Sequence, residues 1–517
     1  MKTSSTVVAI CLFVEAGIAG FIPPQAVLST RQTGLLDCLA NKSVPLTVST
    51  SDNWTDFVTS YNIRLQYDPV VISIPDTTQQ VSDSVLCASL NGIKVQAKSG
   101  GHSYASTSSG GRDGSMVVDL RRFQDVTVDE GTGVASVGGG LRLGNMALAL
   151  NDKGRALAHG TCAGVGVGGH FTLGGYGYTS RSWGMALDQI VGLDVVKADG
   201  AIVHASATEN PDLYYAMRGA GPSFGIATTL YLETQPAPTV TTYFGFSFPN
   251  AAPATSMDTA VSSFIHLQNM AHNASVTDRK ISFGITLGPN DFQLRGVYLG
   301  SASDFNSTIS PELLRGLPQP SSPVTVQELN WQANLELLAG GSLVVPTSEP
   351  YTARDNFFAK SVAVPEPGFS TGALTSYMTY IANQGASPPA LVSWFAIVNL
   401  DGGADSQINA RGADFSAYGH RNLMWTVQNY GFVGADQTFP DAGIEFVNGL
   451  NGAITDVLAD EGVEYGAYIN YADPTLGAEE ANRLYYGDAI VSRLKGLKAV
   501  LDPGNVFAHP QSIIPSG

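Results

Sequence analysis

Charged residues, and basic residues above all, are scarce in this sequence. Only 14% of its 517 residues are charged, against about 25% in an average soluble domain. The 27 Lys and Arg are outnumbered by 44 Asp and Glu, which gives a net charge of −17, and no basic run occurs. Phosphate backbones would be repelled, so we expect no nucleic-acid partner. Hydrophobic residues make up 44%, which excludes disorder and supplies cores for about two to four domains.

Long hydrophobic runs are also absent beyond the first twenty residues. Lys2 precedes an apolar stretch at 7–14 and small residues at 17–19, a pattern typical of a secretory signal peptide over 1–19, with a short buried helix as the alternative. No later stretch reaches the roughly 18 uninterrupted apolar residues of a membrane-spanning helix. We therefore expect a secreted protein with no membrane partner. Sequons that fit this route and predict a glycoprotein begin at Asn41, Asn53, Asn273 and Asn306.

Cysteine is rare, and one cysteine is left over. Of the four, Cys11 lies in the predicted signal peptide, so three remain, an odd number for a secreted protein. Cys38 and Cys87 lie in ordinary sequence on predicted helices, whereas glycines surround Cys162. We predict a disulfide between Cys38 and Cys87 and a reactive thiol at Cys162.

Glycine, by contrast, is abundant, with 57 residues, of which 21 fall between Gly100 and Gly184. Because Val, Leu and Tyr interleave with them, we predict folded backbone with tight turns. Two segments stand out, KSGGHSY at 98–104 and HGTCAGVGVGGH at 159–170. In the first, the consecutive Gly100 and Gly101 let backbone amides converge on an anion, with His102 at the tip of the loop. An ordinary turn with an incidental histidine is the alternative for that segment.

Three other kinds of site have only partial support in the sequence: a dinucleotide-binding turn, a serine-hydrolase motif and a histidine metal site. Residues 164–169 have the G-x-G-x-x-G spacing of a dinucleotide-binding turn, without a βαβ unit and an acidic ribose ligand. Residues 221–225 match the G-x-S-x-G of a serine hydrolase, but a β-rich run follows where that motif needs a helix. His159, His170 and His420 lack the spacing of metal ligands, so we expect no metal.

Short strands alternate with helices along the chain, which predicts an α+β fold in two units. Turn signals at 68–69 and 236–238 bound the first unit, and helices at 478–486 and 489–501 close the chain. In the first unit, strands are predicted at 70–74, 94–98, 115–120, 134–137, 190–198 and 226–232, with a helix at 78–91. In the second, strands are predicted at 241–248, 281–287, 292–299 and 391–400, with a helix at 255–271.

The two glycine-rich segments together resemble the berberine-bridge-enzyme-like branch of the vanillyl-alcohol-oxidase flavoprotein superfamily, and within it the fungal gluco- and chito-oligosaccharide oxidases. Cys162 follows His102 by sixty positions, and further matching segments lie at 207–213, 218–225, 417–421, 468–473 and 485–507. The resemblance covers nearly the whole mature chain. It implies a two-part PCMH-type FAD-binding domain and a substrate domain with a large antiparallel sheet backed by helices. By this resemblance the FAD domain comprises 20–65 and 66–238, the substrate domain 239–465, and the segment 466–517 returns to the FAD domain.

The resemblance also implies how FAD is held. It assigns two covalent bonds, a histidyl link from His102 to the 8α-methyl group and a cysteinyl link from Cys162 to C6. The glycine loops would receive the pyrophosphate on their backbone amides. The other residues implied to contact the cofactor are Ser99, Gly100, Gly101, Ser103, Thr161, Gly164, Gly166, Gly168, Gly169, His170, Gly174, Gly175, Ile226 and Asn470.

The reaction implied by the family is hydride transfer to flavin N5, with Tyr471 as the base that takes the hydroxyl proton. A tyrosine with an ordinary pKa of about 10 needs activation by its neighbours. Tyr104 matches a tyrosine beside the flavin histidine, and Gln428 matches a glutamine of the sugar site. Where the family has an activating Asp, this chain has Asn399, which can orient a phenol but takes no proton. Asp401, two residues on, is the candidate substitute.

We therefore expect oxidation of the anomeric C1 hydroxyl of a reducing oligosaccharide to a lactone, by a monomer. Electrons would pass to O2, giving hydrogen peroxide, or to another acceptor. Asn399 keeps a second function open, the FAD-linked oxidation of a small alcohol or secondary metabolite. A catalytically inactive flavin- or sugar-binding protein is the third, and intact His102, Tyr104, Cys162 and Tyr471 argue against it.

Overall fold

The computed structural model describes residues 24–347 and 353–516. The predicted signal peptide, with Cys11, lies outside the described residues. Helices and strands are mixed, and most strand pairs are antiparallel, so the predicted α+β class is confirmed. Within the described ranges, no helix is long and apolar enough to cross a membrane.

The first part of the chain folds into two main sheets covered by helices. One sheet has the strand order β1-β2-β4-β3 and the other β5-β6-β10-β8-β9, while β11 pairs with β7. The strands are β1 Leu46–Thr47, β2 Val71–Ser73, β3 Val95–Lys98, β4 Met116–Asp119, β5 Val126–Val128, β6 Val134–Gly138, β7 Arg155–Ala156, β8 Ile190–Val196, β9 Ile202–Ser206, β10 Ile226–Glu233 and β11 Gln235–Pro236. The helices are α1 Pro24–Asn41, α2 Trp54–Val58, α3 Thr78–Leu90, α4 Leu143–Asn151, α5 Val167–Leu173, α6 Ser180–Trp183 and α7 Pro211–Ala220.

Helix α3 shows how local sequence fixes these elements. The Thr77 hydroxyl accepts a hydrogen bond from the Gln80 amide at 3.2 Å and caps the first turn. Val81 and Val85, one turn apart, are fully buried against the four-stranded sheet. Cys87 of α3 is bonded to Cys38 of α1, so the predicted disulfide is confirmed and ties the two helices together.

The second part of the chain builds a seven-stranded antiparallel sheet in the order β15-β12-β14-β13-β17-β18-β16. Its strands are β12 Thr241–Ser247, β13 Ile281–Gly288, β14 Asp291–Tyr298, β15 Ser321–Leu329, β16 Asn356–Pro365, β17 Ser393–Leu400 and β18 Leu423–Val433. The helices are α8 Met257–His272, α9 Ala302–Asp304, α10 Ser310–Leu313, α11 Trp331–Ala339, α12 Thr371–Asn383 and α13 Asp441–Asp460.

This large sheet has one apolar face and one mixed face. Along β13, Phe283, Ile285 and Leu287 point into a core shared with helices α8, α12 and α13, whereas Gly284 and Thr286 face the opposite way. The predicted large antiparallel sheet backed by helices is therefore confirmed, and its other face is free to line a site.

The C-terminal segment packs against the first part of the chain. Its helices are α14 Ala478–Tyr486 and α15 Asp488–Leu501, and Leu484 and Leu494 join the core of the five-stranded sheet. Lys498 is fully buried, pairs with Asp502 at 2.7 Å and donates to the Phe507 carbonyl at 3.0 Å. The segment thus closes onto the N-terminal part, while the domain boundaries stated above stay predictions.

Candidate active site

A large cavity lies between the glycine-rich loops and the mixed face of the seven-stranded sheet. Its volume is about 520 Å³, within the range of about 300–1,000 Å³ typical of small-molecule sites. Both sequence segments singled out above line it, together with strands β13, β14, β17 and β18 and the segment 468–472. The cavity therefore collects residues that are far apart in sequence.

The sheet side of the cavity follows from strand alternation. On β17, Phe395, Ile397 and Asn399 face the cavity, whereas Ala396 and Val398 between them are buried in the core. Strand β18 repeats the pattern, because Gln428 and Tyr430 line the cavity and Val427 packs in the core. Polar and aromatic side chains thus reach the site without disturbing the hydrophobic core behind it.

The two glycine-rich loops abut where Gly100 meets Gly166. A Cβ on Gly100 would lie 2.3 Å from the Gly166 amide nitrogen, and one on Gly166 would lie 2.0 Å from that of Gly100, so only glycine fits at either position. Gly101 follows at φ +78°, in the left-handed region that favours glycine. The Arg142 guanidinium links the loops by donating to the carbonyls of Gly100, at 2.8 Å, and Gly164.

Backbone donors and a neutral imidazole face this side of the cavity. The amides of Gly101, Ser103 and Tyr104 donate no hydrogen bond to any residue that the structure describes. Burial, with the charges of Arg142 and Arg354 adding to it, lowers the pKa of His102 to about 3. The His102 ring is therefore uncharged at neutral pH and keeps a lone pair on one nitrogen.

Cys162 lies in the second loop and is the one free cysteine among the described residues. Its side chain is exposed to the cavity, and the protein packed around it raises the pKa of the thiol, opposed by a hydrogen bond with Thr161. His102 and Cys162 line the same cavity, so one ligand can reach both.

Tyr104 and Tyr471 lie side by side and contact Gln428 and Tyr468. The two phenol rings stack, with centroids 5.3 Å apart and 23° between planes, and Tyr468 meets Tyr471 edge-on at 5.0 Å. Gln428 Nε2 donates to the Tyr104 hydroxyl at 2.8 Å. Burial first, and then Tyr468, Cys162 and Asp401, raise the pKa of Tyr471. Tyr471 is thus a protonated phenol that needs a partner to act as a base.

Asn399 and Asp401 lie in different surroundings. Asn399 lines the cavity, and its Oδ1 occupies space that only a glycine at 284 leaves open, since a Cβ there would lie 2.8 Å away. Strand β17 ends at Leu400, so Asp401 lies beyond the strand, outside the cavity lining and 1% exposed. Its Oδ2 has no hydrogen-bond partner, and burial raises its pKa to about 7. The geometry that would place Asp401 on the same strand face as Asn399 is therefore absent.

Most residues that the sequence implied are brought together at the cavity. Those that line it are Ser99, Gly100, Gly101, His102, Ser103, Tyr104, Thr161, Cys162, Gly166, Gly168, Gly169, His170, Ile226, Asn399, Gln428, Asn470 and Tyr471. Gly164, Gly174 and Gly175 do not line it. Gly164 instead accepts the bond from Arg142, and the Gly175 amide donates to the Tyr468 hydroxyl at 2.9 Å.

His170 and Asn470 line the cavity and also hold its wall. His170 Nε2 accepts from the Gly160 amide at 2.9 Å, and burial lowers the pKa of His170 to about 3. Asn470 Nδ2 donates to the Tyr468 hydroxyl at 3.1 Å. No group of three His, Cys, Asp or Glu side chains suited to a metal occurs in the described part of the chain.

Several lining residues were missed by the sequence analysis, namely Tyr61, Tyr178, Tyr243, Arg295, Asp355 and Tyr430. None of them belongs to a motif. Arg295 and Tyr243 lie on strands that the sequence predicted, so strand alternation could have marked them as sharing a face once the facing element was known. Tyr61 and Asp355 lie outside the named helices and strands, so no periodic pattern identifies them.

The residues present fit a flavin dinucleotide. A neutral histidine and a free thiol line one cavity, beside loops of glycines whose close approach a Cβ would prevent and whose amides remain available for an anion.

Comparisons with known proteins agree with this arrangement. Residues 69–206 match the family described as FAD binding domain, and residues 467–514 match the family described as berberine and berberine like. The chitooligosaccharide oxidase of Gibberella zeae is 33% identical over 96% of this chain and 98% of its own. The structure of xylooligosaccharide oxidase from Myceliophthora thermophila C1 in complex with xylobiose is 35% identical, with a TM-score of 0.87 over 94% of this chain and 100% of that one.

A further solved structure bears on the flavin. It concerns the 6-S-cysteinyl, 8α-N1-histidyl FAD in glucooligosaccharide oxidase from Acremonium strictum. That protein is 33% identical to this chain, with a TM-score of 0.86 over 94% of this chain and 100% of its own. The flavin of that protein carries one cysteinyl and one histidyl link.

Proposed function

This chain belongs to the berberine-bridge-enzyme-like family of FAD-linked oxidoreductases, and we propose that it oxidises the anomeric C1 hydroxyl of reducing oligosaccharides to the lactone. The observation that carries the proposal is the meeting of His102, Cys162, Tyr104 and Tyr471 in one cavity. The relatives named above are oligosaccharide oxidases, and this chain aligns with nearly their whole length. This similarity supports FAD-dependent oxidation of a carbohydrate.

The proposed cofactor is FAD attached through both His102 and Cys162. His102 offers an uncharged ring nitrogen for the 8α position, since its pKa is about 3. Cys162 is free and open to the cavity, for C6. The amides of Gly101, Ser103 and Tyr104 would donate hydrogen bonds to the oxygens of the pyrophosphate. When bound, FAD supplies the two-electron acceptor of the reaction.

The protein's own residues handle the proton and the substrate's position. Tyr471 takes the proton of the C1 hydroxyl after its own phenolic proton has been released to solvent, because hydride leaves readily only from a carbon whose oxygen has become alkoxide-like. Tyr104 stacks on the Tyr471 ring and is itself held by Gln428, so the three side chains form a fixed wall against the reacting sugar. Asn399 contributes an amide that orients hydroxyl groups and accepts no proton.

The remaining expectations become proposals with specific support. Oxygen as acceptor, giving hydrogen peroxide, is proposed from the oxidase names of the relatives. Secretion is supported by the Cys38–Cys87 disulfide. We also propose a monomer and the domain boundaries at 66–238, 239–465 and 466–517.

One observation favours a second candidate, the oxidation of a small alcohol or secondary metabolite. Asn399 lines the cavity at the position where the resemblance implies an activating Asp, and Asp401 lies outside the cavity lining.

Anaerobic flavin reduction separates the two candidates. Purified holoenzyme is mixed with cello-, xylo-, malto- and chito-oligosaccharides, and separately with aromatic alcohols, while the flavin absorbance is followed. The proposal expects bleaching by one or more reducing oligosaccharides; bleaching by the alcohols alone would overturn it. Reoxidation by air, compared with reoxidation by a dye, then identifies the acceptor.

A further inference from the structure

Arg295 extends from β14 on the cavity face of the large sheet, between two positions that have no side chain. Its cross-strand neighbours are Gly245 on β12 and Gly284 on β13. A Cβ on Gly245 would meet the Tyr243 ring at 3.7 Å, an ordinary contact distance. The arginine is therefore flanked on both neighbouring strands by glycines, and the side chains nearest to those glycines are Tyr243 and Asn399.

This arginine is the one Lys or Arg side chain among the described residues that line the cavity. It is exposed, and no ion pair or hydrogen bond joins it to any residue in the described ranges. Other arginines of the same region are paired: Arg279 with Asp405 at 2.7 Å, and Arg421 with Asp188 at 2.7 Å. In a chain of net charge −17, an unpaired cation inside the site is an available binding group.

Among the described residues, Asp355 is the one carboxylate that lines the cavity, and it is already engaged elsewhere. Asp355 accepts from the Tyr430 hydroxyl at 2.5 Å through Oδ2 and from the Asn356 amide at 2.8 Å through Oδ1. Asp355 precedes β16 and is bonded to β18, whereas Arg295 lies on β14, so three to four strands separate the two groups. At about 4.8 Å a strand, the gap is roughly 14–19 Å. The two ends of the cavity thus carry opposite charges.

The strand that carries Arg295 is set apart from the strands that carry Asn399 and Gln428. Strand β14 is two strands from β17, which carries Asn399, and three from β18, which carries Gln428. Two strand spacings amount to about 10 Å, which exceeds one pyranose ring. Tyr178 and Tyr243 line the cavity nearby and offer flat rings on which a sugar can lie. Arg295 would therefore meet a sugar next to the one that is oxidised.

We propose that the preferred substrate is an acidic oligosaccharide, whose carboxylate on a sugar beyond the reducing-end ring pairs with Arg295. This rests on the proposed oxidation of reducing oligosaccharides at the same site. A guanidinium matches a carboxylate by two parallel hydrogen bonds. A uronic acid within the oligosaccharide supplies that group, so Arg295 is a specificity-determining residue and takes no part in the chemical step.

The test compares three reducing oligosaccharides of equal length in the holoenzyme: a neutral one, one with a uronic acid on the second ring, and the methyl ester of the latter. The expected kcat/KM for the carboxylate exceeds that for its ester by about ten- to hundredfold, as for a charge-assisted pair. The ratio should fall as ionic strength rises, because salt screens the exposed charge. A carboxylate and an ester oxidised at equal rates would overturn the inference.

Two arginine variants separate the effect of the charge at Arg295 from the effect of the protein's overall charge. Arg295→Gln should reduce the carboxylate-to-ester ratio to near one, whereas Arg315→Gln, which removes an exposed arginine paired with Glu312 outside the cavity lining, should leave it unchanged. A ratio that survives Arg295→Gln would contradict the assignment. A sulfated sugar and an aromatic hydroxy acid form two further arms, and preference for either over the uronic acid would also reject it.

The outcomes for the two proposals are distinct. If no reducing oligosaccharide bleaches the flavin, the proposed function fails. If neutral and acidic sugars bleach it equally well, only the role of Arg295 fails.

Discussion

The phenol ring of Tyr61 lies parallel to the imidazole of His102, with 4.1 Å between centroids and 21° between the planes. The ring of Phe357 contacts Tyr61 edge-on, with 6.0 Å between centroids. Both stacked residues line the cavity. The stack restrains rotation of an uncharged imidazole, so Tyr61 is a positioning residue for the proposed flavin attachment at His102.

Removing one of two covalent links should leave the other intact. We expect Cys162→Ala to retain yellow, protein-bound flavin after acid precipitation, held by His102 alone, because His102 stays uncharged beside the same cavity. Absorbance of the washed precipitate and the mass of the flavin-bearing peptide provide the measurement. The double variant His102→Ala with Cys162→Ala is the control and should release all colour; colour that washes away from Cys162→Ala would reject the histidyl link.

The Tyr61 stack can be tested in that single-link background. Adding Tyr61→Ala to Cys162→Ala should lower the fraction of flavin attached to His102, because the imidazole then samples orientations that do not face the flavin. Tyr61→Phe keeps the stacked ring and should restore attachment. Peptide mass spectrometry gives the attached fraction without any reliance on activity. Equal attachment in the Ala and Phe variants would show that the ring stack has no positioning role.

Proton removal by Tyr471 predicts a large loss in one variant and a gain in another. Tyr471→Phe should slow flavin reduction by about 10²–10⁴-fold, the usual worth of a general base, with covalent flavin retained. Asn399→Asp should speed it, because a carboxylate at this cavity-lining position can accept the proton that an amide cannot. Stopped-flow reduction across pH is the measurement. The gain should disappear at low pH, where the new carboxylate is protonated; a pH-independent effect would argue against proton transfer.

Asp401 should make stability depend on pH. Burial raises its folded-state pKa from the ordinary 3.8 to about 7, so between these values the folded protein holds a proton that the unfolded chain has released. The Asp401 contribution to the free energy of unfolding therefore falls as pH rises from about 4 to 7, by up to about 1.4 kcal/mol per pH unit.

The measurement is denaturant unfolding of the wild type and Asp401→Asn at the two ends of that pH range. Asn does not titrate, so the variant should gain stability relative to wild type as pH rises. Asp436→Asn, on an exposed loop residue, controls for the change in net charge. A constant difference between wild type and Asp401→Asn across pH would contradict the raised pKa.

The sequence predicted the elements that have local signals. Helix α14 spans the predicted residues, and α3 begins where Thr77 caps it. The odd cysteine correctly indicated one disulfide and one free thiol. Strands β15, β16 and β18 were not identified. β16 is an edge strand and β18 is its neighbour, and both are buried along nearly their whole length, so they lack clear alternation.

Sequence patterns could not predict the part of the cavity around Arg295. Arg295, Gly245 and Gly284 come from three strands and become neighbours only through sheet register. Asp401 is a second example of a position that the sequence could not place. Its spacing from Asn399 suggested a shared strand face, but β17 ends at Leu400. Where a strand ends depends on tertiary packing, which no local motif encodes.

The central claim is that Tyr471 and the bound FAD oxidise a sugar at its anomeric C1 hydroxyl. The most direct measurement is anaerobic bleaching of the flavin by a reducing oligosaccharide and by its alditol, the same molecule with the reducing end converted to an open-chain alcohol. The account expects rapid bleaching by the sugar, formation of one lactone per flavin reduced, and no bleaching by the alditol. Bleaching by both, or by the alditol alone, would contradict it.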